Sequence, residues 1–265
     1  MSDDLAELIR ADIPHSARVW NYWLGGKDNY PPDREAAETV LELFPGIATL
    51  ARQSRQLLIR AVRLLTDEFG VRQFLDIGTG LPTMQNTHEV AQSIAPECRV
   101  LYVDNDPLVL THARALLTNT TPEGVTAYAD ADVRDPDLII SDARNVLNFT
   151  QPIAVMFLGI LGYVADFDEV RSIVARVMDA VPSGSYLLLR DNTDLSANVR
   201  EAADRYAESG VEPYHLRSVE QLQQCFEGLE MVPPGLVRVA HWRPGDIEVG
   251  ADEVTDDHCG LARKP

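Results

Sequence analysis

The feature that most constrains this chain lies between residues 72 and 192, where short apolar runs alternate with stretches of helical period. "RQFLDIG" (72–78), "RVLYVD" (99–104), "GVTAYAD" (124–130), "PIAVMFL" (152–158) and "SYLLLRD" (185–191) read as strands. A helix is expected from about Thr83, and others over "PLVLTHARALL", "FDEVRSIVARVMDAV" and "SANVREAADRYAES". In the third of these, Val170, Ile173, Val174, Val177 and Val181 fall on one stripe. Parallel strands need crossover connections, and helices supply them, so the pattern predicts an α/β fold whose sheet is covered on both faces. The unbroken apolar character of "PIAVMFL" fits a strand buried on both sides.

The flanks read differently. Residues 1–70 look helical and separate in character: "DREAAETVLELF" starts at Asp33 and stops at Pro45-Gly46. The next run places Leu57, Leu58, Ala61, Leu64 and Leu65 on one stripe, keeps Arg52, Arg55, Arg60 and Arg63 off it, and ends at Gly70. Near the end, "GLEMVPPGLVRVAHW" (228–242) is two short runs around Pro233-Pro234-Gly235, expected to close the sheet as an antiparallel strand pair. Residues 246–257 are acidic and read as a solvated tail. The expected division is a helical cap over 1–70, a sheet domain over 71–245 and an acidic tail over 246–265.

The formal net charge of −18 over 265 residues removes nucleic acid and anionic membranes from the expected partners, because both are bound through clustered Lys and Arg. Three scattered cysteines form no C-x-x-C pair and no disulfide framework, the N-terminus "MSDDLAEL" is acidic, and the longest uncharged run (152–165) is too short for the ~20 residues of a membrane span. A cytoplasmic protein is expected. His88, His112, His215 and His241 show no metal spacing such as H-E-x-x-H, so no metal is expected.

The most informative stretch is "FLDIGTGLPT" (74–83), a strand that ends in Asp76 and runs into Gly78-Thr79-Gly80, with Pro82 suited to a first helical position. Glycines there permit a tight turn and let backbone N–H groups approach a ligand. The dinucleotide fingerprint G-x-G-x-x-G is incomplete, because Thr83 stands where the third glycine belongs. Asp104 closes the second strand, where a carboxylate can accept both hydroxyls of a ribose. "DADVRDP" places Asp132 and Val133 just past the third strand, where a side-chain carboxylate and a backbone N–H can read an adenine edge. Each acid alone is as well explained as a turn or cap. Three at successive strand ends after a glycine loop point to one nucleoside crevice.

At this point the chain resembles class I S-adenosylmethionine-dependent methyltransferases, and more narrowly a bacterial family of them once described only as a domain of unknown function. The residues that carry the resemblance are "PHSARVWNYWLGGKDNY", "FLDIGTGLPT", "HEVAQ", "VLYVDNDP", "ARALL", "GLEMVPPGLVRV" and "WRP", over about residues 12 to 244. It implies a Rossmann-like sheet of seven strands with the last antiparallel, and S-adenosylmethionine as cofactor. It implies Gly78, Thr79 and Gly80 beneath the methionine part, Asp104 on the ribose, Asn105 beside the adenine, Asp132 and Val133 at its edge, and Phe157–Leu158 facing the sulfonium. After the fourth strand stands "LGILGYVAD", without the Asn/Asp-Pro-Pro-aromatic motif that orients an exocyclic amine, which speaks against amino-methylation of bases or glutamine.

"WNYWLGGKDNYPPDRE" (20–35) fits neither a helix period nor a strand period. The expectation is a lid over the cofactor. Asn21 and Tyr22 offer polar contacts and Lys27 or Arg18 pairs the cofactor's carboxylate, while Tyr22, Trp23 and Tyr30 exclude water around the sulfonium. His15 and Tyr163 are the nearest general-base candidates for a poorly nucleophilic acceptor. Asn192, Tyr214 and His215, after the fifth strand, are candidates to line a pocket for a small-molecule acceptor. A nicotinamide oxidoreductase, a cofactor-binding protein without turnover and a sulfonium-dependent transferase of another group are the rival readings.

Overall fold

The structure, a computed structural model, describes residues 10–83, 85–116, 119–245 and 255–265. Five parallel strands form its centre: β1 (Gln73–Ile77), β2 (Arg99–Asp104), β3 (Val125–Asp130), β4 (Ala154–Leu158) and β5 (Tyr186–Asn192). Two short strands, β6 (Glu230–Met231) and β7 (Val237–Arg238), and a final strand β8 (Asp257–Arg263) complete the sheet. The order is β3-β2-β1-β4-β5-β8-β6, with β7 paired to β8 off that path. β8 runs antiparallel to β5. The order reverses between β1 and β4, and a crevice opens there at the carboxyl ends of the strands.

Nine α-helices are present among the described residues. The first three, α1 (Ser16–Trp23), α2 (Pro31–Leu43) and α3 (Ile47–Asp67), precede the sheet. Next come α4 (Thr87–Ile94), α5 (Pro107–Leu116), α6 (Pro136–Val146) and α7 (Phe167–Ala180). The last two are α8 (Ala197–Glu208) and α9 (Val219–Gln224). No described helix is long and apolar enough to cross a membrane.

Alternation along the strands builds two cores. Leu75, Ile77, Val155, Phe157, Leu187 and Leu189 face α6 and α7, meeting Ile139, Ala143, Val170, Ile173, Val174 and Val177. Phe74, Ala154, Met156 and Leu188 face the opposite way, against Leu57, Leu58, Ala61, Leu64 and Leu65 of α3 and Val90 and Ala91 of α4. Fully burying each large side chain is worth about 1.5–3 kcal/mol, so α3 is held by the sheet and not by helix propensity alone.

The helical segment is therefore not set apart from the sheet at residue 70. Only α1, α2 and the first turns of α3 form a cap, which packs on Ala202 and Tyr206 of α8 and on Val211; the rest of α3 is a wall of the sheet's core. A helix that changes neighbours halfway shows one continuous stripe in sequence, which hides the boundary.

The closing strands also differ from expectation. β6 and β7 flank Pro233-Pro234-Gly235 but do not pair with each other; each pairs antiparallel with β8. Residues 257–263, expected in the acidic tail, form β8, buried except at Arg263. Two local features explain the misreading. Gly260 interrupts the apolar run because a Cβ there would stand 2.9 Å from the Phe226 ring. Asp257 looks solvated in sequence but receives Nε and Nη2 of Arg190 at 3.0 and 2.8 Å, with both side chains at most 1% exposed. Of the expected acidic tail, residues 246–254 lie outside the described residues.

A candidate active site at the carboxyl edge of the sheet

The turn after β1 is locked to the end of β2. Gly78 adopts φ +75° and donates its N–H to the Val103 carbonyl at 2.8 Å. Gly80, at φ +65°, donates its N–H to Asp104 Oδ2 at 2.8 Å, and Asp104 Oδ1 accepts the Asp106 N–H at 3.0 Å. The two glycines serve different ends. A Cβ on Gly78 would stand 2.4 Å from Ile160, whereas a Cβ on Gly80 would meet nothing within 4 Å. Gly78 thus lets two loops touch, and Gly80 opens onto the cavity. Burial raises the Asp104 carboxyl against the lowering effect of its two N–H donors. The expected helix start moves as well: α4 begins at Thr87, not Thr83, with Asn86 as N-cap and Glu89 completing a capping box.

A continuous cavity runs over this edge, lined there by Asp76, Gly78, Thr79, Gly80, Asp104 and Asn105. Asp76, 4% exposed, accepts a hydrogen bond from Thr87 Oγ1 at 2.7 Å. Burial pushes its carboxyl up to about 6; the Thr87 hydrogen bond and the Arg55 charge pull the other way. Arg55, on α3, lines the same cavity, and its guanidinium is lowered by burial and partly restored by Asp76. Arg55 escaped the sequence reading because it was one of four arginines off the apolar stripe.

A second, smaller notch adjoins the first, between the ends of β2 and β3. Asn105 Nδ2 donates to Asp132 Oδ2 at 3.1 Å, and Asp132 Oδ1 accepts the Arg134 N–H at 2.8 Å. The Arg134 guanidinium reaches both Asp132 oxygens at 3.2 Å and extends to Glu212 and the Tyr163 carbonyl. Val133 lines the notch with its side chain packed into the core. Phe157 does not line either space. It is fully buried on the α6–α7 face, since alternation turns it away from the edge, while Leu158 and Gly159 line the main cavity.

The opening aromatic segment lines the cavity through Trp23, one of the expected rings, and through Trp20, which was not among them. Trp20 and Trp23, three apart on α1, line it, with their rings edge-to-face at 5.9 Å. Arg18, Asn21, Tyr22 and Lys27 do not line it. Arg18 is 2% exposed, lies 3.8 and 3.7 Å from Asp33 and Asp106, and stacks over Tyr30. Asn21 Oδ1 accepts from the Asp28 N–H at 3.1 Å and from Asn29 Nδ2 at 2.9 Å, so it staples the loop after α1. Tyr22 donates to Glu38 at 3.0 Å on the outer face, and Lys27 is exposed.

His15 and Tyr163 line both spaces. His15 lies at the N-cap of α1 with Nδ1 2.9 Å from Asp106 Oδ2; burial lowers its pKa, but the Asp106 carboxylate outweighs this and leaves it raised. The Tyr163 hydroxyl lies 3.4 Å from that of Tyr206, and burial pushes it up to about 12. Beyond Gly159 the cavity continues into a lobe walled by Trp20, Trp23, Phe44, Tyr163, Tyr206 and Tyr214, with Arg190 and Asn192 at its floor. Tyr214 and Asn192 line it, and His215 does not. Arg190 went unread, although a charge inside "YLLLRDN" was a signal. Among the described residues no three His, Cys, Asp or Glu side chains come together as a metal site.

This arrangement has known relatives. A DUF574-family protein from Streptomyces avermitilis is 43% identical over 97% of this chain and all of its own, with a TM-score of 0.90. A methyltransferase candidate from Thermobifida fusca is 41% identical over 97% of each chain, with a TM-score of 0.88. An S-adenosylmethionine-dependent methyltransferase from Anabaena variabilis, 12% identical over 78% of this chain and 84% of its own, has a TM-score of 0.50 and shares the fold alone. No curated protein matches the chain. The family model described as S-adenosyl methyltransferase matches residues 2–265, and the chain belongs to that family.

Proposed function

We propose that this S-adenosylmethionine-dependent methyltransferase acts on a small-molecule acceptor by in-line methyl transfer. The residues at the sheet edge fit the cofactor by the chemistry of their donors. Asp104, with each oxygen already held by one backbone N–H, keeps lone pairs for two ribose hydroxyls. The second notch, between Asn105, Asp132 and Val133, suits the adenine. Gly80 leaves open space for the methionine part, whose ammonium suits Asp76 and whose carboxylate suits Arg55. These two replace Arg18 and Lys27, which the fold directs elsewhere.

Bound S-adenosylmethionine supplies a methyl group on a sulfonium, a good leaving group. What remains for the chain is alignment and exclusion of water. The cap does both. Trp20 and Trp23 roof the cavity, and the His15–Asp106 and Arg18–Asp106 contacts tie that roof to the loop that follows Asp104. The single observation that carries the reading is the bond that joins Gly80 N–H, after β1, to Asp104, at the end of β2, beside one cavity that continues into an aromatic lobe. Three buried free thiols favour a cytoplasmic location.

Calorimetric titration with S-adenosylhomocysteine, beside a thermal-shift comparison of S-adenosylmethionine and NAD, tests the cofactor site; a shift with NAD alone would overturn it. A mass-spectrometric screen of small metabolites for an added methyl group tests the acceptor class.

A further inference from the structure

The lobe beyond Gly159 has a character of its own. Its walls are Trp20, Trp23, Phe44, Tyr163, Tyr206 and Tyr214. Trp23 and Tyr206 lie 6.0 Å apart, and Tyr163 and Tyr214 meet edge-to-face at 5.0 Å. Such walls suit a flat aromatic guest. Among the described residues its cation is Arg190, which is paired with Asp257 through Nε and Nη2. An ammonium guest would face this guanidinium, and a carboxylate guest would face buried Asp191 beneath the lobe. A neutral guest meets neither penalty.

Two polar tips reach the point where the lobe joins the cofactor crevice. A Cβ at Gly159 would lie 3.0 Å from Arg190 Nη1 and 3.8 Å from Tyr214 Oη. Tyr214 is seated there because position 162 is glycine: a Cβ at Gly162 would stand 2.3 Å from its ring. The Tyr214 hydroxyl donates to Asp191 Oδ1. Asp191 is fully buried, accepts its neighbour's N–H from Asn192 at 2.9 Å, and has no hydrogen-bond partner at Oδ2. Burial holds its carboxyl above the usual range despite Tyr214 and Arg190, which makes it a stronger proton acceptor. Of the other candidates, the Tyr163 hydroxyl faces Tyr206, and His15, whose Nδ1 faces Asp106, lines the cofactor end of the cavity as well.

We propose that the lobe binds a flat, neutral aromatic alcohol whose hydroxyl donates to Tyr214, with Asp191 as the final proton acceptor. The inference rests on the reading that the adjoining sheet edge holds the cofactor. The hydroxyl oxygen gains the methyl group as the carbon–sulfur bond breaks and its electron pair stays on sulfur. The hydroxyl proton moves to Tyr214 Oη, and the Tyr214 proton moves to Asp191 Oδ1. The positive charge of the sulfonium is thereby cancelled by the carboxylate, and the products are an aryl methyl ether, the thioether and a protonated Asp191.

The test uses the full chain saturated with S-adenosylhomocysteine, with 2-naphthol, naphthalene and 2-naphthoate as probes followed by fluorescence titration. The wild type is expected to bind 2-naphthol more tightly than 2-naphthoate. Tyr214→Phe is expected to shift the naphthol-to-naphthalene affinity ratio at least about fivefold toward naphthalene, as loss of one hydrogen bond requires. Ala203→Phe, which fills the lobe from α8, should weaken naphthol binding at least about tenfold by steric exclusion while homocysteine-nucleoside affinity stays within about twofold. Asp191→Asn should keep naphthol affinity within about threefold and slow its methylation at least about 100-fold in a single turnover. Tighter binding of naphthoate, no naphthol binding, insensitivity to Ala203→Phe, or naphthol that binds the wild type without being methylated would each overturn the proposal. A wild type that fails to bind S-adenosylhomocysteine would instead overturn the reading of the sheet edge.

Discussion

The two halves of the cavity are built by different means. At the sheet edge, backbone groups hold the side chains: Gly80 and Asp106 N–H groups grip Asp104, and the Val103 carbonyl grips Gly78. In the helical cap, side chains hold one another through ring contacts among Trp20, Trp23 and Tyr206. A backbone-held site leaves a local signature in sequence, because glycines and acids must stand at set places. A ring-packed site has none, since any helix with aromatics on one face would read the same way.

If that contrast is right, the largest effect belongs to the glycine held by the Val103 carbonyl and packed against the Ile160 side chain. Gly78→Ala forces a Cβ against Ile160 at positive φ and should destabilise the fold by about 3–5 kcal/mol in denaturant titration. Gly80→Ala meets open space and should cost about 1 kcal/mol of stability while impairing cofactor binding; equal destabilisation by both would erase the distinction. Next comes Asp104→Ala, which removes the brace and, on the proposed reading, two ribose hydrogen bonds, and should weaken S-adenosylhomocysteine about 100-fold by calorimetry.

Smaller effects compare the cations. Arg55→Met should lower cofactor affinity about tenfold, whereas Lys27→Ala and Tyr22→Phe should change it less than about twofold, since neither side chain lines the cavity. The reverse result would restore the lid as first read from the sequence. The pH profile sharpens the sheet-edge half. Asp76 has its carboxyl raised to about 6, and an ammonium prefers the ionised form. Affinity should therefore be flat above pH 6 and fall by at most about tenfold per unit below it. Asp76→Asn should flatten that fall.

The same contrast explains what the sequence disclosed. The strands β1 to β5, the glycine loop and Asp104 were legible because period, turn chemistry and an acid at a strand end are local signals. Trp20 and Trp23 were not separable from Tyr22, because the segment's helical stretch is only eight residues long and its Gly25-Gly26 pair masks the period. Arg55 and Arg190 came to line the cavity through long-range packing, which no window of sequence carries. β8 was hidden by its acidic approach and by Gly260, whose meaning depends on Phe226 more than thirty residues upstream.

The Arg190–Asp257 pair binds β8 to β5 at the floor of the pocket. During synthesis β5 leaves the ribosome long before β8, so for that interval it offers an open hydrogen-bonding edge and a guanidinium without its counter-ion. Completion of the sheet thus waits until β8 emerges. Pulse-labelled chains arrested before Thr255 should be captured by holding chaperones, and chains arrested further downstream should escape them.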